Sequence, residues 1–155
     1  MAAERGERES TIVVGTDGSD TAKRAVGEAV RLARALGAEM HIVSGFHPLH
    51  GARVAGEPGG EAGEWSPLPE SQVNAILDEA GAAARIAGAQ AHIHAVPGDA
   101  ADALLSVAQE VHASLIVVGS KGMHGAKRLL GSVPNTISHR ARCNVLIVAT
   151  DDKLL

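Results

Sequence analysis

Residues Thr11-Ile-Val-Val-Gly-Thr-Asp-Gly-Ser-Asp20 change character halfway along. Four β-branched residues give way at Gly15 to a run of glycines, hydroxyls and carboxylates. A short apolar run closed by turn residues reads as a strand buried on both faces. Ser19 or Asp20 then caps a helix with apolar positions at Ala22, Val26, Ala29, Ala33 and Leu36, a spacing that makes one helical face. Gly37 closes that helix.

The same pattern repeats along the chain. Met40–Val43, Ala91–Val96, Leu115–Val118 and Val145–Val148 are further strands. Between them lie a helix near Glu70–Ala87, a helix capped by Asp99, and a short helix capped by Ser132 with Pro134 in its first turn. The segment 46–69 breaks the pattern: Pro48, Pro58, Pro67 and Pro69 stand among many glycines, so it reads as a long surface loop. Its Glu57, Glu61 and Glu64 make a solvated acidic stretch, and Trp65 either anchors the loop if buried or serves a partner or a ligand lid if exposed. Strands alternating with helices predict an α/β fold. The expected architecture is a five-stranded, doubly wound parallel sheet of order 3-2-1-4-5 with helices on both faces. It forms one domain over residues 10–155, behind a charged tail at 1–9.

Composition narrows the function. The chain has 155 residues and one domain's worth of apolar side chains, 45%, but one Phe, one Trp and no Tyr. Few aromatics and a net charge of −4 argue against nucleic-acid binding, which uses stacking platforms and a basic surplus. The lone Cys143 forms no intrachain disulfide and fits a reducing cytosol; at the start of a core strand it reads as a packed residue. The charged residues 1–10 do not resemble a signal peptide, and no apolar run approaches the roughly 20 residues of a membrane span. The expectation is a cytoplasmic protein.

In such sheets ligands bind beyond the carboxyl ends of the strands, where the strand order reverses. Here that point lies between the first strand and the fourth. The loops after those two strands hold Gly15-Thr16-Asp17-Gly18-Ser19 and Gly119-Ser120-Lys121-Gly122, the latter leading on to Gly131-Ser132 at a helix start. Glycines let backbone N–H groups approach an anion, and a helix N-terminus adds more. Lys121, Lys127 and Arg128 supply positive charge. Neither the Gly-x-x-x-x-Gly-Lys-Ser/Thr string of a P-loop nor the Gly-x-Gly-x-x-Gly dinucleotide fingerprint is present. Each glycine pair alone could be simply a turn.

Val118-Gly-Ser-Lys-Gly-Met-His-Gly-Ala-Lys-Arg-Leu-Leu-Gly-Ser-Val-Pro-Asn135, with Val13-Val-Gly-Thr-Asp-Gly-Ser19, resembles the universal stress protein family over residues 10 to 149. ATP-binding members carry Gly-x2-Gly-x9-Gly-Ser/Thr. Gly119, Gly122, Gly131 and Ser132 fill those places, with a spacer of eight residues that includes Gly125. The resemblance implies an adenine nucleotide, ATP, AMP or cyclic AMP, with or without Mg²⁺. It implies that Gly15, Thr16 and Asp17 line the adenine and ribose side and that Gly45 contacts adenine through its backbone. It gives Gly119, Ser120, Gly122, Ser132 and Val133 to ribose and phosphates. His124, inside the phosphate loop, faces either phosphate or water. It also implies a homodimer through the last strand; an apolar edge at Val145–Val148 independently needs a cover.

The remaining features read more plainly. Asp17 either holds a nucleotide or caps its own turn, with nucleotide contact preferred. His47/His50 and His92/His94 are pairs with no third ligand fixed by spacing, so no metal site is assigned. No motif places a catalytic nucleophile or an attacking water, so the expected role is a sensor or signalling module and not a turnover enzyme. A cyclic AMP binder is the nearest alternative. An adenylating or ATP-hydrolysing enzyme, a flavodoxin-like carrier and a ligand-free interaction module are more distant.

Overall fold

The computed structural model describes residues 10–48, 68–120 and 131–150. The elements run β1 (Thr11–Gly15), α1 (Asp20–Leu36), β2 (Glu39–His47), β3 (Leu68–Pro69), α2 (Glu70–Ile86), β4 (Gln90–Pro97), α3 (Ala100–Glu110), β5 (Leu115–Gly119), α4 (Ser132–Arg140) and β6 (Asn144–Val148). The sheet is parallel throughout its pairings: β4 and β3 bond to β2, β2 to β1, β1 to β5 and β5 to β6. Leaving β3 aside, this is the expected order 3-2-1-4-5.

Side-chain alternation along the strands makes two cores. Ile12, Val14, Met40, Ile42 and Val117 face one way and meet Ala25, Val26, Ala29 and Ala33 of α1 and Val73, Leu77 and Ala84 of α2. Val13, Val43, Ile116 and Val118 face the other way and meet Ala103, Leu104 and Val107 of α3 and Ile137 of α4. Two helices therefore cover each face, as a parallel sheet requires. Burying the apolar face of each helix in this way, and not helix propensity, supplies most of its stability.

Caps set the helix ends. The Ser19 side chain accepts a hydrogen bond from the N–H of Ala22, and Asp99 does the same for Asp102. Gly37 ends α1 in the left-handed region at φ 61°. Two expectations need correction. Both ends of the loop expected over 46–69 are strand, because Phe46 and His47 continue β2 and pair with Leu68 and Pro69, making a sixth strand. A two-residue strand carries no periodicity to read, and its proline marks it as irregular. Gly131, not Ser132, is the N-cap of α4, and no side chain caps that end. The rest of the expected loop, with Trp65, lies outside the described residues.

Candidate functional site

The last pair of the β1–β5 register is Val14 with Val117, so Gly15–Asp17 and Gly119–Ser120 leave the sheet from adjacent strands at the same end. Gly15 pairs with Val43 of β2, and the N–H of Thr16 donates to the Val43 carbonyl at 3.0 Å. Gly45 follows two residues later. The two loops and Gly45, which lies inside β2 and pairs with Val96, therefore share one rim above the middle of the sheet, at the point where the strand order reverses.

The first loop is tightly tied. Thr16 is buried, and its hydroxyl oxygen accepts from the N–H of Gly18 at 3.2 Å. The half-buried Asp17 accepts from the N–H of Ser19 through Oδ1 at 2.9 Å, so the turn-capping role considered from sequence is real. That bond uses one carboxylate oxygen and fixes the side chain's position beside the rim.

Two of the glycines have a packing reason. A Cβ on Gly15 would lie 2.9 Å from a Leu104 methyl. A Cβ on Gly45 would lie 2.5 Å from the backbone oxygen of Gly98. The second contact is backbone against backbone and has little room to relax. It lets the Gly98–Asp99 turn close over the end of β2, where the N–H of Gly98 donates to the Phe46 carbonyl at 2.9 Å.

The residues on either side of 121–130 are tied to the sheet and to each other. The N–H of Ser120 donates to the Val148 carbonyl at 2.8 Å, and the N–H of Gly131 donates to the Ser120 carbonyl at 3.0 Å. That second bond brings the start of α4 back to the end of β5, so Gly119, Ser120, Gly131 and Ser132 converge as expected. Val133 lies in the first turn of α4 and packs on the second core. With glycine as its N-cap, α4 has no capping side chain over its first-turn N–H groups, which suits an anion. Lys121, Gly122, His124 and Gly125 lie outside the described residues.

Sequence reading missed Thr150 at this rim. It is buried, its N–H donates to Ser120 Oγ at 3.2 Å, and the two hydroxyl oxygens are 3.1 Å apart. Its one signal is position: it follows the last strand on the same carboxyl side. The site thus offers hydroxyls, a carboxylate and backbone donors, a set that binds a polar anionic ligand. Among the described residues it contains no nucleophile activated by a neighbouring base.

Comparison with known proteins bears on this geometry. The sequence model of the universal stress protein family matches residues 10–149. Universal stress protein Rv1636 of Mycobacterium tuberculosis is 41% identical over 143 residues, covering 90% of this chain and 96% of the relative. A crystal structure of a universal stress protein in complex with cAMP superposes with a TM-score of 0.69 at 38% identity, covering 92% of this chain and 98% of that one. The universal stress protein of Archaeoglobus fulgidus in complex with dAMP gives 0.66 at 25% identity, covering 89% and 96%. No helix among the described residues is long and apolar enough to cross a membrane. By the family model over residues 10–149 and by the 41% identical relative, the chain belongs to the universal stress protein family.

Proposed function

We propose that this protein binds an adenine nucleotide at the rim between β1 and β5 and acts as a sensor or signalling module in a stress response, without turnover. The observation that carries this reading is the convergence of Thr16–Asp17, Gly45, Ser120 and the uncapped start of α4 at one end of adjacent strands. Asp17 and the Gly45 backbone face the base and ribose in this reading. Ser120, Ser132 and the α4 N–H groups take the phosphate, joined by Gly119, Gly122 and the loop's Lys121, His124 and Gly125. Relatives crystallised with cAMP and dAMP support an adenine ligand.

ATP, with or without Mg²⁺, is the ligand implied by the glycine motif. Cyclic AMP is the second reading, favoured by the 38% identical relative that holds it. Nucleotide-stripped protein titrated calorimetrically with Mg-ATP and with cyclic AMP decides. Saturable binding of either supports the reading and ranks the two; heat from neither overturns it. The proposed assembly is a cytoplasmic homodimer paired through β6, which among the described residues bonds on one side, to β5. Sedimentation showing a monomer at tens of micromolar would remove that part.

A further inference from the structure

The β2–β4 register sets His41 directly beside His92 and Val43 beside His94. Alternation then puts Glu39, His41, His92 and His94 on the sheet face that carries α3. They lie toward the amino ends of the strands, away from the nucleotide rim. The His92/His94 pair, unassigned from sequence, thereby gains two neighbours from another strand.

One ligand atom each from Glu39, His41 and His92 lie within 4.8 Å of one another. His41 is buried, Glu39 half-buried and His92 exposed at the edge strand, which gives an ion a path in. His41 Nδ1 and His94 Nε2 are 2.8 Å apart, a hydrogen bond between imidazoles. When His41 donates it, the lone pair on His41 is at Nε2, the state a metal-bound histidine needs, with His94 as the outer partner. Burial, first, and the neighbouring imidazoles push His41 below the usual histidine range, while the carboxylates of Glu39 and Glu110 oppose this. Burial also lowers His94, opposed by Glu110 and aided by His92. Glu39 and Glu110, at the end of α3, bring carboxylates to the same surroundings.

We propose that Glu39, His41 and His92 bind a divalent transition-metal ion, zinc by the character of the donors, with His94 fixing His41. Two imidazoles and a carboxylate leave a fourth position for water or another ligand. This site is separate from the proposed nucleotide site. Tetrahedral ligands at about 2.0–2.1 Å from zinc lie roughly 3.4 Å apart. Closing the cluster therefore turns the His92 ring out of its stack on His41, where the centroids are 4.9 Å apart at 21°. His92 and Glu39 are the accessible members and can make that adjustment.

The test is a zinc titration of the full-length, tag-free, chelator-treated protein against a chromophoric competitor. H92Q, E39Q and H47Q are run beside it, and each variant is first matched to wild type by its thermal melt in chelator. Wild type is expected to take up one equivalent. H92Q and E39Q should bind at least about tenfold more weakly, while H47Q should be unchanged. Zinc should raise the melting temperature of wild type and not of H92Q. No saturable uptake, uptake unaffected by H92Q and E39Q, or uptake lost in H47Q would each overturn the proposal.

Discussion

Replacing Gly45 with alanine tests the geometry of the rim at its tightest point. The added Cβ would sit 2.5 Å from the Gly98 oxygen, 3.1 Å from the Asp99 carbonyl carbon and 3.2 Å from the Asp99 oxygen. Carbon–oxygen contacts in proteins begin near about 3.3 Å, so the closest must open by roughly 0.8 Å. All three neighbours are backbone atoms, and no side chain can rotate away. The opening must pull the Gly98–Asp99 turn off β2, stretching the bond from Gly98 N–H to the Phe46 carbonyl and tilting the Asp99 cap of α3. Overpacking of this kind costs about 1–3 kcal/mol, and a weakened hydrogen bond about 0.5–1.5 kcal/mol more. G45A should therefore lose about 1.5–4.5 kcal/mol. In a domain of this size that lowers the melting temperature by about 3–18 °C. Urea unfolding at one fixed protein concentration, with and without nucleotide, gives the stability directly. An unliganded G45A protein melting within about 2 °C of wild type would show that the turn does not press on β2 as described.

Gly27 is the control for that reasoning: it is exposed in mid-α1, and nothing lies within 4 Å of an added Cβ. G27A should stabilise the protein by about 0.5–1 kcal/mol through helix propensity, and a loss in urea unfolding would contradict this. Removing the α3 cap with Asp99→Ala should cost about 1 kcal/mol, read from the same transition; no change would mean the cap is idle. The Cys143 thiol is pushed above its ordinary value, chiefly by burial against the second core. Its reaction with an aromatic disulfide should be slow at neutral pH, rise as pH rises, and become fast in denaturant. Complete labelling of the native protein within seconds at pH 7 would refute that placement.

Much of the fold was legible because its signals are local. Each β-branched run ended by glycine became a central strand, and Ser19, Gly37 and Asp99 cap the helices as residue chemistry demands. The alternation of elements and the handedness of crossovers narrowed the strand order to a few, the observed one among them. The rim was legible for the same reason: Thr16, Asp17, Gly119 and Ser120 come just after buried strands. Features that depend on register between distant segments were not legible. His41 meets His92 only because Glu39 aligns with Gln90, and nothing in either segment announces that alignment. Thr150 joins Ser120 through a contact 30 residues away. Gly45 read as a nucleotide contact through its backbone, and nothing in its neighbourhood announced the close approach of the turn at Gly98. The β3 strand failed for want of length, and the α4 cap shifted by one residue because glycine and serine both start helices.

The central claim is that the rim between β1 and β5 holds the nucleotide. Amide chemical-shift mapping of isotope-labelled protein, titrated with cyclic AMP and separately with Mg-ATP, tests it residue by residue. The account predicts that the better ligand perturbs Thr16, Asp17, Gly45, Ser120, Gly131 and Ser132 while leaving Glu39, His92 and Ile86 at the far end unmoved. Perturbations centred on that far end, or none at the rim at saturating nucleotide, would contradict it.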